Sequence, residues 1–354
     1  MKTVKILIFA ALFLYIGNAK GQNKSGNMNK MTLVIHGGAG TILKKNMTAE
    51  KEKEYQEKLN ETLLAGYEIL VNGGSSVEAV EKAIQIMEDS PLFNAGKGSV
   101  FNSEGKNEMD ASIMEGKHLN AGSVAQVNGI KNPISAAKLV MEESPHVMMV
   151  GQGAVEFAKE HELELVDSNY FFDERRWKQW QNIKGSNEQQ LDHSDERSDA
   201  NQKQFDIEFN EKVDQKFGTV GAVAIDGEGN IAAGTSTGGM TNKMYGRVGD
   251  SPIIGSGTYA NNTTCGVSCT GHGEYFIRSV VAYDIAALME YTNISLEDAA
   301  NIVVHKKLKE IGGSGGIIAV DSKGNYALTF NTEGMYRGVI SNDKNPQVFI
   351  YKDE

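Results

Sequence analysis

Hydrophobic and polar positions along the chain alternate, cluster and break off so as to mark out a series of elements. "MTLVIHGGAG" (Met31 to Gly40) reads as a strand running into a glycine loop. "TAEKEKEYQEKLNETLLAGYEIL" places Tyr55, Leu59, Leu63 and Tyr67 at helical spacing. Ser75 and Glu78 have the spacing of a capping box and open a second helix, "SVEAVEKAIQIMED". "NEMDASIMEGKHLNAGSVAQV" reads as two strands about a Gly-containing turn, and "NPISAAKLVMEES", "HVMMVG" and "GAVEFAKEHE" continue as helix, strand, helix.

From Asn169 to about Gln215 the pattern dissolves. "DERRWKQWQNIKGSNEQQLDHSDERSDANQKQ" is charged, rich in Gln, Asn and Ser, and poor in aliphatics, so it buries too little to offset its ordering entropy. A mobile linker over 169–217 is expected, with Trp177 and Trp180 marking a short helix that docks. Strand patterns resume in "TVGAVAID" and "IAAGTSTGG", then "TTCGVSCT", followed by a long helix from about Gly273 ("EYFIRSVVAYDIAALMEY"). A further helix, "SLEDAANIVVHKKLKEI", precedes strands "GGIIAVD" and "NYALTFN".

Two stretches echo one another: "GAVAIDGEGNIAAGTSTGGM" and "GIIAVDSKGNYALTFNTEGM" agree in register at Asp, Gly-Asn, Thr, Gly and Met. Both read as hairpins with Asp-x-x-Gly-Asn turns. The expected fold is α/β, a four-layer αββα sandwich of two antiparallel sheets covered by helices. Pairing outward from the turn centred on Glu228 sets Thr219 opposite Thr237. Directly opposed residues share a face, with Cβ atoms ~4.5–5.5 Å apart.

At 354 residues the chain can bury a full core, and 39 glycines against 5 prolines suit a loop-rich globular protein. A formal charge of −11 with no basic cluster argues against a nucleic-acid partner. The opening "MKTVKILIFAALFLYIGNAKGQ" has Lys2 and Lys5, an apolar run from Ile6 to Ile16 and small residues at Gly17, Ala19 and Gly21. This is the pattern of a signal peptide (1–21) removed after Ala19 or Gly21, with an interfacial anchor as the alternative. The mature protein is then expected to be periplasmic or secreted, free of the membrane. Cys265 and Cys269 lie about 13 Å apart along an extended strand, too far for a disulfide, and read as packing residues.

Two hydroxyls thus meet at the start of a strand that follows a polar tract. A structural cross-strand pair explains the hydroxyls, but neither Gly218 before them nor the tract. An N-terminal nucleophile explains all three. Gly218 tolerates unusual backbone angles, and β-branching restricts the Thr219 rotamer. Attack of the hydroxyl on the Gly218 carbonyl followed by hydrolysis frees an α-amine, pKa ~7.7–8.0 when unperturbed, that can act as base for the same hydroxyl.

"GTVGAVAID…GTSTGGMTNKMYGRVGDSPIIGSGTYANN…SCTGHGE", with "VIHGGAG", "SPLFNAGKGSVFN", "MDASIMEG" and "NTEGMYRG", closely resembles the plant-type L-asparaginases/isoaspartyl aminopeptidases, a branch of the N-terminal nucleophile hydrolases. The resemblance covers most of Met31 to Tyr351 apart from the linker. It implies an α fragment (22–218) and a β fragment (219–354) released by cleavage between Gly218 and Thr219, associating as a dimer of such pairs. It implies Thr219 as nucleophile with Thr237 in support, Arg247 holding a substrate α-carboxylate and Asp250 an α-ammonium. It further implies Thr270 and Gly271 at the oxyanion, Gly273 keeping that turn open, and Asn94 bonding near the nucleophile. Gly37 to Gly40 resembles the loop bordering the nucleophile. No cofactor is implied for catalysis. A structural sodium is, held by backbone carbonyls of Glu88, Ser90, Phe93, Ala95 and Lys97.

The implied reaction is hydrolysis of asparagine and β-aspartyl dipeptides, with glycosylasparaginase as the alternative within the wider family. A serine esterase is the rival outside it, because "GTSTG" (Gly234 to Gly238) matches G-x-S-x-G around Ser236 and "HGGAG" resembles a lipase oxyanion loop. That motif needs a strand-to-helix elbow, whereas Ser236 alternates along a strand. The glycine loops lack a Walker Lys-Ser/Thr, and His272 reads as a loop histidine.

Overall fold

Strand β1 (Thr32–Gly40) is buried at every position because layers pack on both its faces. Leu33 and Ile35 join a core with the helices, while Val34 and Ala39 join a core with a second sheet. The computed structural model describes residues 30–186, 189 and 218–354, so the expected signal peptide lies outside the described residues.

Thr48 caps α1 (Ala49–Val71) by accepting from Lys51 N, and the apolar stripe of Tyr55, Leu59, Leu63, Tyr67 and Leu70 is buried. The capping box of Ser75 and Glu78 opens α2 (Ser76–Glu88) with both of its hydrogen bonds made. Then come β2 (Met109–Glu115), β3 (Ala121–Val127), α3 (Pro133–Glu143), β4 (Met148–Val150) and α4 (Gly151–Glu160).

The expected linker begins later than its composition suggests. Residues Ser168–Phe171 form a 3-10 turn, and α5 (Glu174–Ile183) follows. Arg176 is fully buried, donating from Nε to the Gly98 carbonyl at 3.2 Å, and Arg175 donates to the Pro91 carbonyl at 3.0 Å. Trp177 and Trp180 gather around Phe101, with ring centroids 5.1 and 6.4 Å away. Aromatic rings and guanidinium stems supply the burial that a count of aliphatics misses. The stretch 190–217 lies outside the described residues.

After it come β5 (Val220–Ile225), β6 (Ile231–Thr237), β7 (Thr258–Ala260) and β8 (Cys265–Gly271). The single long helix expected next is two, α6 (Gly273–Ser279) and α7 (Val281–Thr292), broken where Val280 is left-handed at φ 49. Next come α8 (Leu296–Asn301), a π-helical turn at Ile302–Lys307 and α9 (Leu308–Glu310). The chain closes with β9 (Gly315–Asp321), β10 (Tyr326–Phe330), β11 (Gly334–Ser341) and β12 (Gln347–Tyr351).

The strands form an eight-stranded sheet ordered β12-β11-β1-β5-β6-β2-β3-β4 and a four-stranded sheet ordered β10-β9-β8-β7. One core lies between the large sheet and α1–α3, a second between the two sheets, and a third between the small sheet and α6–α9. The αββα sandwich is therefore present, with one departure from antiparallel pairing among the described strands: β4 runs parallel to β3 at the edge. Both cysteines are free and buried in the third core.

The echoed hairpins are β5–β6 in the large sheet and β9–β10 in the small one. Each turn is held by its aspartate. Asp226 Oδ1 accepts from the Glu228 and Asn230 amides at 3.0 and 2.9 Å, and Asp321 Oδ1 from those of Lys323 and Asn325 at 2.8 and 2.9 Å. Asp226 Oδ2 also accepts from Ser76 N at 3.1 Å, fastening the hairpin to the start of α2. Asp226→Ala should therefore destabilise by about 3 kcal/mol, with Asp226→Asn recovering part of the loss. Urea denaturation checks this, and an unchanged midpoint in Asp226→Ala would contradict it.

Candidate active site

Ladder pairing brings the two threonines together. Val220 pairs with Ser236 and Gly221 with Thr235, so Thr219 falls opposite Thr237. The Thr219 hydroxyl donates to Thr237 Oγ1 at 3.2 Å, and Thr237 Oγ1 also accepts from Gly239 N at 3.0 Å. Gly218 packs on Gly38, whose φ of +115 and whose distance of 2.8 Å from a would-be Cβ to Gly218 N both require glycine. The segment expected as a loop here is strand, with β1 continuing to Gly40 through a bulge between His36 and Gly38.

A pocket lined by Asn94, Gly218, Thr219, Thr237, Gly239, Arg247, Asp250, Thr270 and Gly271 gathers residues from five stretches of chain. Asn94 fixes its floor: its side-chain amide donates to the Gly239 carbonyl at 2.8 Å and its own carbonyl accepts from Gly238 N at 2.9 Å. Thr270 Oγ1 accepts from Ala39 N at 3.3 Å, tying the end of β8 to β1. Gly273 starts α6 beside the charged groups, where a Cβ would stand 2.9 Å from Asp250 Oδ1 and 3.0 Å from Arg247 Nη2.

The charged groups differ sharply in environment. Asp250 is buried, and its Oδ2 has no hydrogen-bond partner. Burial pushes its carboxyl up to about 7, against the opposing pull of a backbone hydrogen bond and of Arg247. Arg247 is held by Glu274, with Nε and Nη2 each 2.8 Å from a carboxylate oxygen. Burial raises the Glu274 carboxyl, but the His272 hydrogen bond and the Arg247 fork and charge outweigh it and hold it well below the ordinary range.

Glu274 is a residue the sequence reading missed; an acid in a helix's first turn reads as dipole compensation. His272, read as a loop histidine, stands at the N-cap of α6 with Nε2 3.3 Å from Glu274 Oε2. Ser236 is fully buried within β6 and donates to Glu88 Oε1 at 2.6 Å, away from the pocket, so the elbow needed by the esterase reading is missing at this serine. His36, also passed over, lies buried on β1 with Nδ1 3.1 Å from the Thr219 carbonyl oxygen.

The loop expected to hold sodium runs from the end of α2 to Asn94 and Gly98. Gly96 adopts φ +51, and a Cβ there would overlap the Glu88 carbonyl oxygen, as one at Gly98 would overlap that of Phe93. Both positions therefore require glycine for the close packing of this loop. The Ala95 carbonyl already accepts from Gly98 N at 3.1 Å, Ser90 Oγ accepts from Leu92 N at 3.3 Å, and Lys97 Nζ lies 5.3 Å from the centroid of the Tyr170 ring.

The family model described as asparaginase matches residues 29–350. An isoaspartyl peptidase of Salmonella typhimurium is 48% identical over 326 residues, covering 92% of this chain and 100% of the relative. An isoaspartyl peptidase/L-asparaginase of Xenopus laevis is 41% identical, covering 89% and 94%. A plant-type L-asparaginase of Pyrococcus abyssi is 44% identical, covering 86% and 94%.

Because the Asp250 carboxyl rises from 3.8 to about 7 on folding, the folded protein holds this proton more tightly than the unfolded chain. The resulting stability is full below the unfolded value and lost as pH rises through about 7. Asp250→Asn, which cannot ionise, should gain in Tm relative to the parent as pH rises from about 4 to about 8. A pH-independent Tm difference would contradict the assignment.

Proposed function

This chain belongs to the asparaginase family, and from that premise we propose that it hydrolyses β-aspartyl amide and isopeptide bonds, releasing aspartate through an acyl-enzyme on Thr219. The observation that carries the reading is the 3.2 Å contact of Thr219 Oγ1 with Thr237 Oγ1 in a pocket shared with Arg247 and Asp250. The names of the relatives, isoaspartyl peptidase and plant-type L-asparaginase, support the substrate class.

Maturation comes first. The Thr219 hydroxyl attacks the Gly218 carbonyl carbon, the C–N bond breaks as the nitrogen takes a proton, and an ester remains. Water then cleaves the ester, leaving a Gly218 carboxylate and a Thr219 with both hydroxyl and amine free. The packing of Gly38 against Gly218 favours this by holding the scissile peptide against a rigid strand.

In turnover the Thr219 amine takes the hydroxyl proton and Oγ attacks the substrate's side-chain carbonyl. Thr237, already accepting from Gly239 N, can donate its own proton toward the nucleophile. Thr270 and Gly271 flank the developing oxyanion at the β8–α6 junction. The leaving amine departs with a proton, and water releases aspartate from the ester.

Arg247 and Asp250 recognise the zwitterionic end. The Arg247 edge not held by Glu274 suits a carboxylate, and an incoming ammonium gives Asp250 Oδ2 the partner it lacks. Ionised Asp250 is the binding form, so KM should rise as pH falls below about 7, while an Asp250→Asn enzyme should lose that pH dependence together with most of its affinity.

Carbonyls of Glu88 and Phe93, with those of Ser90, Ala95 and Lys97, would hold a structural sodium that stiffens the loop carrying Asn94; no catalytic step passes through it. The basic and then apolar opening of the chain supports export and cleavage near Ala19 or Gly21. A dimer of paired α and β fragments completes the proposal. N-terminal sequencing of the purified protein should give one end near residue 20 to 22 and another at Thr219, and Thr219→Ala should abolish both cleavage and turnover. A fully active uncut chain, or an active Thr219→Ala, would rule the reading out. Comparing rates on asparagine, β-aspartyl-leucine and a glycosylated asparagine decides among the substrates.

A further inference from the structure

Beneath Thr219 a chain of buried polar groups crosses between the two sheets. His36 on β1 has Nδ1 3.1 Å from the Thr219 carbonyl oxygen and Nε2 3.0 Å from Ser268 Oγ on β8. Ser268 Oγ lies 2.6 Å from Thr235 Oγ1 on β6, which lies 2.6 Å from Thr258 Oγ1 on β7. Ser112 Oγ on β2 is 2.8 Å from Thr258 Oγ1 and 2.6 Å from the carbonyl of Ser251, next to Asp250. His36, Thr235 and Ser112 belong to the large sheet and Ser268 and Thr258 to the small one, so each bond from His36 to Ser112 passes from one sheet to the other. All five side chains are fully buried in a seam whose other members are Val, Ile, Ala and Met.

The proton positions follow from the partners. A carbonyl only accepts, so His36 Nδ1 carries the proton. Burial holds the ring neutral, lowering its pKa to about 3 against the opposing bond to Thr219, so Nε2 can only accept, from Ser268. Ser268, its one proton committed, accepts from Thr235, which accepts from Thr258. The single Ser112 proton is shared between Thr258 Oγ1 and the Ser251 carbonyl, and Thr235 Oγ1 also lies 3.0 Å from the Gly257 carbonyl. The direction is fixed at the His36 end, from Thr235 through Ser268 and His36 to the Thr219 carbonyl, where each bond polarises the next.

Gly221 leaves the space for it. A Cβ at Gly221 would overlap Ser268 Oγ and His36 Nε2, while its backbone lies outside the left-handed region, so only this hydrogen bond excludes alanine. Thr219 itself precedes the first β5–β6 ladder pair, Val220 with Ser236. Once the bond to Gly218 is cut, its carbonyl is the backbone group left to fix how its amine and hydroxyl point.

We propose that His36 is a positioning residue for Thr219: its Nδ1–H clamps the Thr219 carbonyl, and the hydroxyl chain accommodated by Gly221 locks that clamp and joins it to the segment carrying Asp250. The inference rests on the proposed role of Thr219 as N-terminal nucleophile.

Kinetics on asparagine, the rate of fragment appearance and Tm, measured for His36→Ala, His36→Asn, Gly221→Ala and Thr219→Ala, test it. His36→Ala and Gly221→Ala should lower kcat about ten- to hundredfold with KM little changed, and should slow self-cleavage. His36→Asn, which keeps a donor near the Nδ1 position, should recover part of kcat. In the parent enzyme, 15N NMR of labelled histidine should show His36, assigned by its loss in His36→Asn, neutral at pH 7 with its proton on Nδ1. Unchanged kcat in folded Gly221→Ala, or a proton on Nε2, would overturn the proposal, and both readouts stand even where His36→Ala does not fold. An inactive Thr219→Ala beside a fully active His36→Ala defeats this inference alone; an active Thr219→Ala defeats the nucleophile reading beneath it.

Discussion

Asp226 gathers the amides of Glu228 and Asn230 into a tight turn, and that turn sets the register in which β5 meets β6. Side chains alternate across a strand, so a slip of one residue would turn Thr219 away from Thr237 and Thr235 away from the small sheet. Both outcomes matter. Thr219 needs Thr237 on the pocket side, and Thr235 must reach Ser268 and Thr258 inside the sandwich. The hairpin is further fixed by pairing of β5 with β1 and of β6 with β2, so the site sits on the most constrained strands of the large sheet.

Around this rigid pair the electrostatics are left unbalanced. Asp250 is buried with an unpartnered oxygen, an arrangement that disfavours its charge until a cation arrives. Arg247 is treated differently: Glu274 holds its Nε and Nη2, which aims the guanidinium and leaves its other edge for a ligand. One group is thus held ready by a missing partner and the other by a present one. A zwitterionic end satisfies both at once, whereas a neutral amide or ester would leave Asp250 uncompensated.

Much of this was legible in the chain, and the exceptions have physical causes. The hairpin register was readable because Asp-x-x-Gly-Asn turns centre themselves, and the capping box of α2 because both partners lie three residues apart. Strands β11 and β12 were not, since their pairing is long-range and Gly and polar residues interrupt their alternation. Helix α5 was legible only as a short docking helix marked by Trp177 and Trp180; its extent and its partner were not, because Arg176 and Trp180 bury themselves against a loop distant in sequence. The break at Val280 left no mark, a β-branched residue being a poor advertisement for a left-handed turn. Within the site, Thr219, Arg247 and Asp250 stood out through motif and type. His36 and Glu274 did not, because their meaning lies in what they hold: a carbonyl and a guanidinium supplied from elsewhere in the chain.

The most direct test is to trap the covalent intermediate. Acid-quenched enzyme mixed with excess asparagine, digested with trypsin and sequenced by tandem mass spectrometry, reports on the peptide that starts at Thr219 and ends at Lys243. The predicted result is an aspartyl ester on that peptide, located by fragmentation at the N-terminal Thr219. An ester at Ser236 or Thr237, or turnover by a chain still joined through Gly218, would contradict it.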